Sequence, residues 1–280
     1  MTANKEKLGT ERGYNPEIYW EDLLSRDFSL TGVGYQGLGS NYNGWLYRAR
    51  KRILEWFLKR VPLNINEISI LDLGCGTGFY IEFWKKKGAK NLTGLDLTQK
   101  SVSELSRRFA DYSFYKGDIG DRDLNLNKKF DMITAFDILF HIVDEERFSQ
   151  AIHNVGNMAR EGAIILISDN FLRYDREKVF FGQNNRSYDR YRIELDKNNI
   201  EIVRLKPIFY LMNGPIDMKD NILFRIYCLL WSKMAYLMGK SETLGQIIGF
   251  SLYYIDDVLI RLFQNSITTE LLVCRKRCDH

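Results

Sequence analysis

Proline, cysteine and histidine are scarce in this 280-residue chain, at four, four and three residues. So few prolines argue against long disordered linkers, and 45% apolar with 27% charged residues is the composition of a chain that buries a core. Of Cys75, Cys228, Cys274 and Cys278, only the last two are close in sequence, and no His or Cys pair near them completes a zinc set. Free thiols are therefore expected. The start, Met1 to Gly9, has no apolar stretch, and no window of about 18 residues is uninterruptedly apolar. Neither a signal sequence nor a spanning helix is expected, and the expected location is cytoplasmic. An excess of one charge sign is also missing: the net charge is +4, with Lys and Arg mixed among 36 acids. Nucleic acid is not the expected main partner.

What is present is an alternation of short apolar runs and helical patterns between about Ile68 and Ser168, the signature of βα units in a parallel α/β sheet. Strands are predicted at Ser69 to Asp72, Asn91 to Asp96, Tyr112 to Lys116, Phe130 to Phe136 and Ala163 to Ser168. Helices are predicted at Tyr80 to Lys87, Ser101 to Ala110 and Glu145 to Met158. Glu104, three residues after Ser101, suggests a capping box. Ahead of this core, Tyr19 to Leu24 and Trp45 to Val61 read as helices. They are joined by residues 31–44, where five glycines in fourteen positions make either a lid or a plain linker. Beyond the core, Tyr188 to Asn198 reads as a helix and Ile200 to Leu211 and Ser266 to Cys274 as strands. Between those strands lie two apolar helical patterns, Asn221 to Met238 and Thr243 to Phe263, whose charged residues do not suit a bilayer interior. Three regions follow: a helical cap or lid (1–62), a core (63–211 and 265–280) and a helical insertion (212–264).

One run carries the chemistry. A strand ending in Asp72 passes into Gly74-Cys75-Gly76-Thr77-Gly78, which opens a helix. Glycines permit a tight turn close to a ligand, and the helix start offers free N–H groups to it. A dinucleotide turn would place its third glycine one position later; here Phe79 stands there. A second strand ends in Asp96, an acid suited to vicinal ribose hydroxyls.

Asp-Leu-Gly-Cys-Gly-Thr-Gly resembles the first motif of class I S-adenosylmethionine (SAM)-dependent methyltransferases. Tyr115 to Ile119 resembles the family's third motif, Phe130 to Asp137 its fourth and Ala163 to Ser168 the following strand, so the resemblance covers about Asn64 to Asn170. It implies a Rossmann-like three-layer sandwich with a mostly parallel seven-stranded sheet and an antiparallel last strand. It also implies a SAM site. The glycine turn (Gly74, Cys75, Gly76, Thr77, Gly78) would face the aminoacid end, with Asp72 reaching the ammonium through water. Asp96 and Leu97 would hold the ribose, Asp118 and Ile119 the adenine, and Phe136 would lie near the methyl group. Segments such as Tyr42 to Arg48 fold over SAM in the family, so Arg48 is a candidate for the methionine carboxylate and Tyr42 for closing the site; a solvated helix face is the rival reading of Arg48.

Methyl transfer from a sulfonium is an in-line displacement, and an alcohol acceptor also gives up a proton. Among His141, His153 and His280, His141 lies just past the fourth motif, at the sheet edge where open α/β folds bind ligands, and is the candidate base. A capping or packing role is its rival. Asp137, Asp144 and Asp169 show no ligand spacing, and no metal is expected. The aromatic residues of the insertion, including Phe224, Tyr227, Trp231, Tyr236, Phe250, Tyr253 and Tyr254, suit a pocket roof, a homodimer face or peripheral membrane contact. The whole pattern looks like methyltransferases of sugar and natural-product pathways, which points to O-methylation of a small-molecule, glycan or lipid-linked acceptor with S-adenosylhomocysteine as product. N-methylation of a small molecule and a non-catalytic SAM-binding scaffold are the alternatives.

Overall fold

The computed structural model describes residues 14–174, 178–180 and 182–278. His280 and the first thirteen residues of the predicted cap lie outside them. In chain order the elements are α1 (Pro16–Arg26), α2 (Gly39–Leu58), β1 (Ser69–Leu73), α3 (Phe79–Lys86), β2 (Asn91–Asp96), α4 (Gln99–Arg108), β3 (Ser113–Lys116), β4 (Phe130–Phe136), α5 (Glu145–Met158) and β5 (Ala159–Asp169). They continue with β6 (Lys178–Phe180), β7 (Gln183–Asn185), α6 (Tyr188–Lys197), β8 (Ile200–Pro207), α7 (Ile222–Lys240), α8 (Glu242–Leu262) and β9 (Glu270–Lys276).

Seven strands form one sheet in the order β3-β2-β1-β4-β5-β9-β8. The first five are parallel, while β9 runs antiparallel to both β5 and β8. This is the mostly parallel sheet with an antiparallel last strand that the resemblance implied. Its central strands are apolar on both faces because both are covered. Ile70, Met132, Ile164 and Leu166 turn toward α2, α3, α7 and α8. Leu71, Ile133, Ile165 and Ile167 alternate onto the face covered by α5 and α6. The strand order reverses beside β1 and β4, which places a crevice at their C-terminal ends.

Several boundaries differ from the sequence reading, each for a local reason. Strand β5 begins at Ala159, four residues early, because Arg160 to Gly162 are exposed and break the apolar run. Strand β8 stops at Pro207 rather than Leu211, where the backbone N–H groups of Tyr210, Leu211 and Met212 turn to the buried Asp256 carboxylate. The cap of α4 is Thr98, whose hydroxyl accepts from the Ser101 N–H; Glu104 pairs with Lys100 and Arg107 instead of closing a box. Helix α2 starts at Gly39 and so takes in the last six residues of the glycine-rich connection.

The insertion helices are joined through Ser241 alone and pack against α2. By length and composition alone α7 is apolar enough to cross a membrane, which the sequence reading had discounted on its charged residues.

Candidate active site

A cavity of about 1030 Å³ opens at the C-terminal edge of β1, β2 and β4. Drug-sized ligand sites span roughly 300–1,000 Å³, so it lies at the large end of that range. Its floor is the turn after β1. Gly74 adopts φ +64°, and a Cβ there would lie 2.3 Å from the Ile138 side chain, so only glycine fits. Gly74, Cys75, Gly76 and Thr77 line the cavity. Gly78 does not: in a left-handed conformation it caps α3 against Leu105, which corrects its placement among the ligand-facing residues.

Asp96 ends β2 at the cavity wall. Its Oδ2 accepts from the Gly76 N–H at 2.8 Å, and its Oδ1 accepts from the Thr98 N–H at 2.9 Å and the Thr98 hydroxyl at 2.6 Å. One carboxylate thus fixes the glycine turn and the start of α4. Burial pushes its pKa up, and these bonds pull it back. Leu97, Asp118 and Ile119 continue the wall, with Asp118 bonded to the Gly120 N–H and to Arg147 at 2.6 Å. Phe136 closes it beside Tyr80, their ring centres 4.3 Å apart.

Asp72 stands one layer behind. It does not line the cavity; Thr134 donates to its Oδ1 at 2.6 Å, and its buried Oδ2 has no partner. Burial pushes its pKa up to about 7, the Thr134 bond lowers it, and Asp96 raises it. An orphaned carboxylate oxygen behind a glycine turn fits the ammonium end of an aminoacid ligand reached through water. A buried group with a raised pKa stabilises the fold below its unfolded pKa of about 4, and that contribution is lost as pH rises through about 7. Asp72→Asn should therefore raise the melting temperature of the ligand-free protein by a few degrees (on the order of 3 °C) at pH 8, less at pH 5, and weaken SAM about tenfold. Scanning calorimetry at both pH values, with a SAM titration, checks it.

Two cavity expectations from the N-terminal segment are corrected. Tyr42 is fully buried and donates to the Met212 carbonyl at 2.8 Å, away from the cavity. Arg48 is exposed and lies over the Trp45 ring. Tyr47 and Arg50, three residues apart on the same side of α2, line the cavity instead. Arg50 bonds Asp137 Oδ2 through Nε at 2.7 Å and Nη2 at 2.6 Å, and Ser168 donates to Asp137 Oδ1 at 2.8 Å. Periodicity could have found Arg50, since Arg48 is about 200° away from it round the helix.

The roof also differs from expectation. It comes from α1 and residues 32–37, including Trp20 and Tyr35, and not from the insertion helices, none of which lines the cavity. Glu21 of α1 accepts from the N–H groups of Gln99 and Lys100, and Glu17 pairs with Lys116 at 2.6 Å, so α1 is tied across the sheet edge. The segment before α7 contributes Asn213 and Ile216. Asn213, with Asn170, Gln183 and Thr269, gives the cavity a polar lining that sequence spacing did not reveal.

His141 faces the same space. Its Nδ1 lies 2.9 Å from the Gly182 carbonyl, which only accepts, so the proton sits on Nδ1 and Nε2 keeps its lone pair. Burial lowers its pKa to about 4, against smaller opposing effects of that bond and of Asp137. His153 lies on α5, bonded to Asn198 and Asn157. Asp137, Asp144 and Asp169 are each engaged: the first pairs with Arg50, the second caps α5 and the third accepts from Tyr191.

The methyltransferase domain family matches residues 70–162. The chain is 25% identical over 100 residues to dTDP-3-amino-3,4,6-trideoxy-alpha-D-glucopyranose N,N-dimethyltransferase of Streptomyces venezuelae, covering 35% of the chain and 41% of that protein. It is 29% identical over 151 residues to malonyl-[acyl-carrier protein] O-methyltransferase of Hamiltonella defensa, covering 52% and 57%. It thus spans about half the length of these relatives. Magnesium protoporphyrin IX methyltransferase from Synechocystis PCC 6803, solved with bound S-adenosylhomocysteine, shares the fold at a TM-score of 0.54 and 14% identity over 94% of the chain and 98% of that structure.

Proposed function

We propose, on the premise that residues 70–162 form a methyltransferase domain within a class I methyltransferase fold, that the protein moves a methyl group from SAM to a hydroxyl of a polar acceptor. The acceptor is a small molecule, a glycan or a lipid-linked group, and the setting is the cytoplasm. One observation carries the choice of oxygen: His141 lines the same cavity as the glycine turn and has a neutral Nε2 free to take a proton. A neutral amine is nucleophilic enough to attack without a base, whereas an alcohol must give up its O–H proton as its oxygen gains positive charge, so a base in the cavity favours the oxygen acceptor.

Bound SAM supplies a methyl group on a positively charged sulfur. The turn from Gly74 to Thr77 would hold its aminoacid end, Asp96 its ribose hydroxyls, and Asp118 with Ile119 its adenine. Arg147 neutralises Asp118 and Arg50 neutralises Asp137, which leaves Asp96 as the cavity-wall acid without a cationic partner among the described residues at this end, and a cationic ligand suits it. The acceptor would lie toward Asn170, Gln183, Asn213 and Thr269, amides and hydroxyls suited to a polyhydroxylated molecule. As the new carbon–oxygen bond forms, the acceptor oxygen becomes strongly acidic, so even a base of low pKa can receive its proton.

N-methylation is the second reading, supported by the similarity to the aminosugar N,N-dimethyltransferase. Calorimetric titration with SAM, followed by assay of S-adenosylhomocysteine with matched alcohol and amine acceptors, separates the readings. Saturable binding and turnover of alcohols are expected. No binding at about 1 mM ligand to folded protein would reject the cofactor. Turnover confined to amines would reject the oxygen acceptor, and binding without turnover of either class would favour the scaffold.

A further inference from the structure

Among the described residues, fifteen of the twenty-one exposed large hydrophobic side chains lie between Ile222 and Phe263, on α7, α8 and the residue that follows. Exposed apolar residues gathered on one face, unlike ones scattered singly, mark an interaction surface. On α7 the exposed residues Ile222, Ile226, Leu229 and Leu230 fall on one side, where Ile222 is 69% exposed, while Tyr227 and Trp231 turn inward. On α8 the same holds for Ile247 and Val258.

The charges on this face are of one sign. Lys233 stands within the apolar arc of α7 and Lys240 at its end, and neither has an acidic partner among the described residues. The acids of the two helices, and Asp220 just ahead of α7, are all committed. Asp220 pairs with Arg225, Asp257 with Arg52 and Arg261, Glu242 accepts from the N–H groups of Ser40 and Asn41, and Asp256 caps residues 210–212. A two-fold contact between copies would bury lysines of both chains in one apolar interface with no free acid to meet them. A bilayer bearing anionic headgroups takes the same face without that cost, because the lysine stems lie on the apolar surface and their ammonium groups reach outward.

We infer that the exposed face of α7 and α8 docks this protein on an anionic membrane surface, lying in the interface and not crossing it, because Tyr227, Trp231 and Met238 hold α7 to the body of the protein. The docked face is coupled to the cavity through one segment. Tyr227 reaches the carbonyls of Leu211 and Asn213, and Trp231 packs on Gly214, next to the cavity residue Asn213. Docking stands independently of the methyl-transfer reading, since it concerns a surface and not the cavity.

Sedimentation of the full chain with vesicles of phosphatidylcholine, with and without phosphatidylglycerol, tests it. Binding to the mixed vesicles is expected, at least about tenfold tighter than to phosphatidylcholine alone and weakened by salt. Lys233→Glu with Lys240→Glu should lose about tenfold and Leu229→Asp with Ile247→Asp should abolish binding, with circular dichroism and SAM affinity unchanged. Equal or absent sedimentation of the wild-type chain with the two vesicle types overturns the inference, and so does a dimer in light scattering that Leu229→Asp dissociates.

Discussion

Replacing His141 with alanine should lower turnover on an alcohol acceptor about a hundredfold or more while SAM affinity changes less than about twofold. The split follows from position: His141 lines the cavity on the roof side, whereas the glycine turn, Asp96 and Asp118 belong to other strand ends. The loop that carries it is held from behind. Arg186, fully buried, donates to the Ile142 carbonyl at 2.7 Å and the Leu139 carbonyl at 3.4 Å, and its Nε bonds Glu145 at 2.7 Å. The imidazole is thus fixed by Gly182 at one nitrogen and by this clamp through its backbone, which leaves Nε2 as the reactive atom.

The pH dependence has a definite sign. With a pKa near 4, the folded protein keeps His141 neutral through the physiological range, so turnover should be flat from about pH 6 upward and fall as pH drops toward 4. Because that pKa lies below the ordinary 6.5, the group's contribution to stability is present above about pH 6.5 and is lost as pH falls through 4. Turnover of His141→Ala measured with free imidazole should recover in part. Undiminished turnover in the variant, or a loss confined to SAM binding, would remove His141 from the chemistry.

How far these features were legible in the sequence depended on the distance over which they act. Strands β2 and β4 and helix α5 were readable to the residue, because their apolar periodicity is uninterrupted and their ends carry acids or caps. The glycine turn was readable because positive φ angles confine it to glycine. Contacts made across the fold were not. Arg50 meets Asp137 over a separation of 87 residues, and Asn170 reaches the cavity beside Thr269, to which it is hydrogen bonded 99 residues away. Tyr42 and Arg48 follow from the resemblance, in which such segments fold over SAM, but the phase of α2 turns Tyr42 into the core and Arg48 to solvent. The roof was misplaced for the same reason: aromatic composition drew attention to the insertion, while the tie that matters is Glu21 on the start of α4.

Asp96→Ala should weaken SAM about a hundredfold, equivalent to about 2.7 kcal/mol. Hydrogen bonds to a charged group contribute about 1.5–3 kcal/mol, and this carboxylate would lose those to the ribose. It would also leave the Gly76 and Thr98 N–H groups without their acceptor, so the turn that faces the aminoacid end loses its anchor at the same time. Asp96→Asn separates the two effects. Its amide oxygen can keep one of those acceptor roles, but its NH₂ group opposes the other N–H, so the ligand-free melting temperature should fall by less than in Asp96→Ala while SAM affinity still drops more than about tenfold. If both variants bind SAM as tightly as the wild-type chain while remaining folded, Asp96 acts only as a brace for the turn, and the ribose must be held elsewhere along the cavity wall.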